Sequence, residues 1–374
     1  MVVSVCAISN GMKITINHTN LNKAVSFVEK VVSKNPALPI LNNILLKTEN
    51  GRLKVSATNL EVGINYFLGA KIEETGEITV PARIFYDFIN SLRDEKITLT
   101  TKNNILFVNT DKYKTQILGF DPKEFPIIPK IKSEPFSVVQ AKILKTGLST
   151  VLDSVAISET RPELAGVFLQ FTSKQIIFAA TDIFRLTEKT VDIKHKQTNS
   201  FILPRNTVIE LMRLLGDVIS DVEVRFSDNQ VAFSNDDFEI VSRLVDGSYP
   251  DYKKVIPDKF ISRVLVKKND LEKNVRLAGL FSSNIADIKL NCAESSITIT
   301  AKNSNKGEIQ VVGDILLKNE PFDISLNHNY LLDGLKIIPT EHVVIEYTGQ
   351  GSPLVLKPEY DNNDLTYLIM PLRR

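Results

Sequence analysis

Lys54-Val55-Ser56-Ala57-Thr58-Asn59, Ile177-Phe178-Ala179-Ala180-Thr181-Asp182 and Thr298-Ile299-Thr300-Ala301-Lys302-Asn303 follow one pattern: a strand-like run, an alanine, then a polar pair suited to a turn. Each lies at the same remove from an apolar triplet: Ile44-Leu45-Leu46, Val167-Phe168-Leu169 and Ile288-Lys289-Leu290. Leu46 and Leu169 are 123 residues apart, Leu169 and Leu290 121, and the same intervals separate Ala57, Ala180 and Ala301. Val80-Pro81-Ala82-Arg83 and Leu203-Pro204-Arg205-Asn206 place their prolines 123 apart, with Ser325-Leu326-Asn327-His328 at the matching place. Phe125-Pro126 and Tyr249-Pro250 lie 124 apart. Separate landmarks that share one offset indicate an internal repeat.

Each copy has the same grammar: helix, short alternating strands, second helix, strands. Leu21, Ala24, Val25, Val28 and Val32 recur at helical spacing, as do Ile84, Phe85, Phe88, Ile89 and Leu92 behind Pro81. Ile143, Leu144, Leu148 and Val151, then Val208, Ile209, Met212 and Leu215, repeat this in the second copy. Leu271, Val275 and Ala278, then Tyr330, Leu331, Leu335 and Ile338, do so in the third. Runs of period two, such as Ile105-Leu106-Phe107-Val108 and Val222-Glu223-Val224-Arg225-Phe226, fit antiparallel strands with one wet face. The expected fold is therefore α+β, in three domains: 1–131, 132–256 and 257–374. The proline-bearing, charged stretches Pro129–Pro135 and Val255–Lys259 serve as linkers.

The 374 residues are 43% hydrophobic and 24% charged, and none of the apolar runs reaches the roughly 18 residues of a membrane helix. The stretch Met1 to Gly11 lacks the basic leading region of a signal peptide. Cys6 and Cys292 are too few for a disulfide framework, so a reducing compartment, the cytoplasm, is expected and the sequon at Asn17 is taken as incidental. Net charge is +1, from 45 basic and 44 acidic residues, so a nucleic-acid binder of this composition must segregate its charge. The six helical stretches, taken as 20–34, 82–92, 141–152, 205–216, 267–278 and 327–337, carry +7 in total, which leaves −6 for the rest. Such a division presents one basic surface to phosphate, in contacts that are salt-sensitive and independent of base sequence. The alternative is ordinary solvated helix faces.

Motifs for catalysis are absent. There is no P-loop, no Gly-x-Gly-x-x-Gly opening a helix after a strand, no His-Glu-x-x-His and no Cys-x-x-Cys, and His18, His195, His328 and His342 are scattered. Asp182, with Thr181 and Arg185, is the one candidate catalytic carboxylate. Its place in a turn shared with Thr58-Asn59 and Lys302-Asn303 favours a structural role. No cofactor and no metal are expected.

Several segments carry a family resemblance. Ala180-Thr181-Asp182-Ile183-Phe184-Arg185-Leu186, Leu244-Val245-Asp246-Gly247-Ser248-Tyr249-Pro250-Asp251-Tyr252, Leu38-Pro39-Ile40-Leu41, Val80-Pro81-Ala82-Arg83, Pro204-Arg205-Asn206-Thr207-Val208-Ile209-Glu210-Leu211 and Tyr367-Leu368-Ile369-Met370-Pro371-Leu372-Arg373 together resemble the bacterial DNA polymerase III β subunit family, the β sliding clamps. The resemblance spans essentially the whole chain. It implies three tandem clamp domains forming half of a six-domain ring, a head-to-tail homodimer without catalysis of its own. Duplex DNA would pass through a hole lined by helices, facing Lys23, Lys34, Arg83, Lys142, Lys145, Arg205 and Arg213. Tyr113 of the first domain would meet Leu280 and Phe281 of the third across the subunit boundary. Polymerase, clamp loader and repair proteins would dock short peptides in a pocket of Leu164, Thr181, Arg185, Leu186, Pro250, Val255, Asn327, Tyr330, Met370, Pro371, Leu372 and Arg373. The sequence departs from the family in places. Ile183-Phe184 replaces a common Gly-His, Arg374 ends the chain where an apolar residue is frequent, and about ten extra residues precede the first helix. Asn35, with Lys34 beside it, stands where relatives can carry an arginine. The alternatives are a metal-dependent phosphoester hydrolase using Asp182, and a three-domain scaffold that does not bind DNA.

Overall fold

The computed structural model describes residues 11–32, 38–158, 160–193, 198–216, 218–360 and 364–372. Lys34, Asn35, His195, Arg373, Arg374 and the first ten residues lie outside the described residues.

The three copies unfold in one order. The first runs β1 (Lys13–Asn17), α1 (His18–Glu29), β2 (Asn43–Glu49), β3 (Arg52–Thr58), β4 (Val62–Gly69), β5 (Lys71–Glu74), β6 (Glu77–Pro81), α2 (Ala82–Ser91), β7 (Lys96–Lys102), β8 (Ile105–Asn109) and β9 (Lys114–Leu118). The second runs β10 (Ser137–Gln140), α3 (Ala141–Val151), β11 (Gly166–Phe171), β12 (Gln175–Thr181), β13 (Arg185–Asp192), β14 (Asn199–Pro204), α4 (Arg205–Leu215), β15 (Asp221–Ser227), β16 (Gln230–Ser234) and β17 (Phe238–Arg243). The third runs β18 (Ser262–Lys267), α5 (Lys268–Gly279), β19 (Asp287–Ala293), β20 (Ser296–Asn303), β21 (Gly307–Asp314), β22 (Leu316–Asn319), β23 (Phe322–Asn327), α6 (His328–Ile337), β24 (His342–Tyr347), β25 (Leu354–Pro358) and β26 (Leu365–Ile369).

The chain divides into two compact units, Met1–Leu144 with Asn206–Leu244, and Lys145–Arg205 with Val245–Arg374. The first unit holds a five-stranded sheet, β5-β1-β7-β8-β9, and an eight-stranded sheet, β10-β15-β16-β17-β4-β3-β2-β6. The second holds a nine-stranded sheet, β14-β11-β12-β13-β26-β25-β24-β18-β22, and a four-stranded sheet, β21-β20-β19-β23. Two of these sheets run across copies. β17 of the second copy pairs antiparallel with β4 of the first, from Phe238↔Tyr66 to Ser242↔Val62. β26 of the third pairs antiparallel with β13 of the second, from Arg185↔Ile369 to Lys189↔Leu365.

Helices form where the apolar spacing places them, and their ends follow local chemistry. α1 starts two residues before the expected stretch, because Asn17 takes the N-cap and its side chain accepts from the Asn20 amide at 3.3 Å. It ends at Glu29 and not at residue 34: the amides of Lys30 and Val31 turn back to the Val28 carbonyl. Over their observed bounds the six helices carry +4, so part of the expected segregation sits just beyond them. α1 buries Leu21, Ala24, Val25 and Val28, and α5 buries Leu271, Val275 and Ala278.

Each boundary segment lies on a joined sheet. In the first unit, Gly63 of β4 leaves room for Ile128, whose side chain a Cβ there would meet at 2.7 Å. Ile128 and Ile131 pack on Ala232 and Val241. In the second unit, Tyr252 joins Ala179, Leu186, Val355 and Leu368, with Tyr249 and Ile256 against them.

Gly147 of α3 has a comparable role, since a Cβ would lie 2.4 Å from the fully buried Phe178 ring. Gly147→Val is expected to cost about 1–3 kcal/mol through overpacking, read as a lower midpoint in urea with an unchanged slope.

Candidate functional site

The turn between β12 and β13 is built from side chains that take up its own amides. Thr181 Oγ1 donates to the Arg185 carbonyl at 2.7 Å and accepts from the Ile183 amide at 3.1 Å. Asp182 Oδ1 accepts from the amides of Phe184 (3.0 Å) and Arg185 (2.9 Å), and Oδ2 from Arg185 Nε (2.9 Å). Both oxygens of Asp182 are thus engaged in holding the turn, and three of its roughly four lone-pair positions are taken. The turn between β3 and β4 repeats the scheme. Thr58 Oγ1 donates to the Val62 carbonyl at 3.0 Å, and Asn59 Oδ1 accepts from the Glu61 and Val62 amides at 3.0 and 2.8 Å. An uncharged amide serves there as well as a carboxylate. Among the described residues, no group of three or more His, Cys, Asp and Glu is placed to hold a metal ion.

Around this turn the second unit gathers several of the expected pocket residues. The Arg185 guanidinium pairs with Asp182 and with Asp333 of α6, and lies 4.6 Å from the centre of the Tyr330 ring. Burial works against its charge, but Tyr367, Asp333 and Asp182 together outweigh that cost and move its pKa up. The Met370 amide donates to the Phe184 carbonyl at 2.8 Å and the Leu372 amide to the Ser325 carbonyl at 2.8 Å, which lays the chain end between the turn and β23. Tyr330 is held from behind: Tyr367, fully buried on β26, donates its hydroxyl to the Tyr330 carbonyl at 2.7 Å. Gly334 permits this, since a Cβ there would meet the Tyr367 ring at 2.5 Å. Asn327 caps α6 and accepts from the Asn329 amide at 2.9 Å. Met370, Pro371 and Leu372 are all partly exposed.

The remaining pocket candidates divide. Leu186 is buried in the cluster with Tyr252, and Leu164 is buried in a single helical turn before β11. Pro250 and Val255 are exposed on the boundary segment. Arg373 lies outside the described residues. Sequence reasoning missed Asp333, Tyr249, Tyr252 and Glu188. Tyr252 donates its hydroxyl to Glu188 at 2.5 Å, and Tyr249 stacks on Phe168 with centroids 4.9 Å apart. Asp333 lies three residues after Tyr330, hence on the same helix face. That spacing was the available signal.

The helix cations are not alike. Lys23 and Lys142 are exposed and Arg205 is partly exposed, each without a side-chain ion pair among the described residues; Lys145 is partly exposed. Arg83 is paired with Asp87 at 2.9 Å and faces Glu29 at 3.7 Å. Arg213 is committed to Glu210 (2.6 Å), to the Ser26 carbonyl of α1 (3.2 Å) and to the Phe27 ring (5.9 Å). Lys34 lies outside the described residues. At the sheet edges, Tyr113 stands beside β9 and is 50% exposed. Leu280 at the end of α5 is 64% exposed, whereas Phe281 packs partly onto the third copy's core.

Comparison with known proteins gives this architecture a family. The sequence matches the DNA polymerase III beta subunit over its N-terminal domain (residues 12–129), central domain (138–251) and C-terminal domain (253–373). The chain belongs to the DNA polymerase III β subunit family. The beta sliding clamp of Staphylococcus epidermidis is 26% identical over 375 residues, which span 97% of this chain and 99% of that one. Among solved structures, the DNA polymerase III β subunit of Thermotoga maritima superposes with a TM-score of 0.92 at 26% identity, over 97% of this chain and 100% of that one. The β subunit from Pseudomonas aeruginosa does so at 0.92 and 27%, with the same coverage. The fold of the family is accordingly present in full: three tandem α+β clamp domains with antiparallel sheets. Beside this turn the Phe184 ring stacks on Tyr330 with centroids 6.4 Å apart.

Tyr252→Phe removes the donor to Glu188 while keeping the ring. It is expected to cost about 1–2 kcal/mol, because a partly buried carboxylate loses its hydrogen bond; chemical denaturation measures it.

Proposed function

We propose that two copies of this chain close head to tail into a six-domain ring around duplex DNA, a sliding clamp that holds the polymerase by topological linkage. The observation that carries the reading is a set of matching sheet edges. Within the chain, the last strand of one copy pairs with the edge strand after the repeated turn of the copy before it: β17 with β4, β26 with β13. The same rule leaves β9 of the first copy and β21 of the third without a neighbour, at the ends of the five- and four-stranded sheets. Together these sheets would count nine strands, as many as the larger of the two sheets joined within the chain. β21 has no buried residue along its length, unlike β4 and β13. Unpaired edges of this kind invite pairing. An edge that meets a different edge on a second molecule gives a heterologous contact, which forms a closed ring when the rotation permits. Tyr113, Leu280 and Phe281 would flank that junction.

The family acts on DNA with the polymerase, and the lining suits weak attraction. Lys23, Lys142, Lys145 and Arg205 would supply phosphate contacts, with Arg83, Arg213 and Lys34 as further members of the basic face. Contacts of this kind are salt-sensitive and read no base, so the ring slides. Peptides from polymerase, clamp loader and repair proteins would share the pocket around Thr181, Arg185, Tyr330 and Met370 to Arg373, with Leu164, Leu186, Pro250, Val255 and Asn327 as its further walls. Apolar and methionine surfaces with a few fixed polar groups suit that task. We place the domain boundaries at 131/132 and 256/257, within the segments that lie on the joined sheets, and the compartment as the cytoplasm. No helix among the described residues is long and apolar enough to cross a membrane.

Loading onto a nicked circular plasmid followed by linearisation tests the ring. Retention on the circle and loss from the linear form is the expected result, and equal retention on both would refute it. Arg205→Ala should weaken the DNA contact and make its dependence on salt shallower, while the dimer survives gel filtration. Met370→Ala with Leu372→Ala should weaken polymerase peptides at least tenfold, by loss of apolar contact, with dimerisation unchanged.

A further inference from the structure

The first and second copies correspond residue by residue where the boundary segment crosses the sheet. Ser56 faces Asn65 across β3 and β4 as Ala179 faces Glu188 across β12 and β13. Ile128 packs on Gly63, Ala232 and Val241 where Tyr252 packs on Leu186, Val355 and Leu368. In the second copy three rings fill this place: Phe168 stacks on Tyr249 at 4.9 Å, and Tyr252 stands edge-on to both, at 6.2 and 6.0 Å. The first copy keeps one of the rings, the buried Phe125, and has Leu45 and Ile128 in place of Phe168 and Tyr252. The space left is a groove of about 410 Å³, lined by these three residues and by Ser56 and Asn65. Asn65 is 8% exposed; its Oδ1 accepts from Ser56 Oγ at 2.7 Å, which leaves it a lone pair, and its Nδ2 donates to Glu239 Oε2 at 3.0 Å. Lys47, Lys54 and Lys123 line the groove against a single carboxylate, Glu77. Lys47 pairs with Glu77 at 2.7 Å and Lys54 with Glu49, whereas Lys123 is exposed and has no ion pair among the described residues. Ile127, 92% exposed, lines both this groove and a second hollow of about 170 Å³ with Leu60, Pro129 and Arg243, so the apolar surface runs on beyond the room for one ring.

We propose that this groove of the first unit docks a segment of a partner protein that presents a tyrosine ring between acidic residues. The second copy is the template for the ring. There Tyr252 lies in the corresponding place and donates its hydroxyl to Glu188, and here an incoming phenol donates to the open lone pair of Asn65. A ring seated beside Phe125 gains more than an aliphatic side chain of similar size. The surplus of lysines, Lys123 above all, selects acidic neighbours of that ring. The continuation past Ile127 suits a length of chain better than a free aromatic acid. The groove shares no residue with the pocket around Thr181 and Met370, so the inference stands apart from the peptide reading given above.

The probe is the blocked peptide acetyl-Glu-Asp-Tyr-Asp-Glu-amide, titrated against the full chain by saturation-transfer NMR. Saturable binding with a Kd of about 1 mM or tighter is expected, with the strongest saturation on the ring protons. Leucine in place of the tyrosine should weaken it about fivefold or more. Ile128→Tyr, which fills the groove from within as Tyr252 does in the second copy, should weaken it about tenfold or more. Lys123→Glu, an exposed change, should weaken it about two- to fivefold, and Met370→Ala with Leu372→Ala should leave it unchanged. No binding by wild type, equal binding of the leucine peptide, undiminished affinity in Lys123→Glu or in folded Ile128→Tyr, or loss with the Met370 and Leu372 exchanges overturns the proposal. Binding of p-hydroxyphenylacetate as tight as that of the peptide overturns it too, in favour of a free aromatic acid. Should Ile128→Tyr fail to fold, as a thermal melt shows, the leucine peptide and Lys123→Glu decide.

Discussion

Main-chain hydrogen bonding between copies is the interaction on which the rest depends. An antiparallel edge left open is a row of unpaired donors and acceptors, and the chain closes two of its edges internally by pairing β17 with β4 and β26 with β13. Each junction is covered by the segment that connects the copies, Ile128 and Ile131 on one, Tyr249 and Tyr252 on the other. A junction between two chains has no connecting segment to cover it. In the ring proposed above, its cohesion would come from the strand pairing itself and from exposed side chains such as Leu280 and Tyr113.

The turn that follows the conserved alanine does different work in different copies. At Thr58-Asn59 and Thr181-Asp182 the same set of hydrogen bonds makes a rigid corner, and the strand after it meets the next copy. In the second copy that corner also carries Arg185, whose charge is matched by Asp182 and Asp333 and whose plane lies against Tyr330. A buried arginine with one carboxylate missing would be costly. The pairing with Asp333 therefore ties α6 to the turn.

The cations of the helices divide between two duties. Arg213 links α4 to α1 through Glu210, the Ser26 carbonyl and Phe27, and Arg83 is held by Asp87. These charges are partly neutralised where they stand. Lys23, Lys142 and Arg205 have no side-chain ion pair among the described residues, and in the ring proposed above such groups would attract phosphate without gripping it. Strong fixed contacts would work against sliding.

Local periodicity and repetition determined the α+β class, the three copies, the order of elements and the placement of all six helices. The resemblance of short motifs named Thr181, Arg185, Tyr330 and Met370 as expected pocket residues, and the structure gathers these four around one turn. Those signals are legible because each depends on neighbours within a few residues. Only the tertiary structure decided which edges meet, since pairing such as Phe238 with Tyr66 joins segments that share no local pattern. It also decided that α1 stops at Glu29, that Asp333 answers Arg185, and that Arg213 is spent on α1 and not left free. Each of these depends on a group brought close by folding, and distance along the chain carries no record of it.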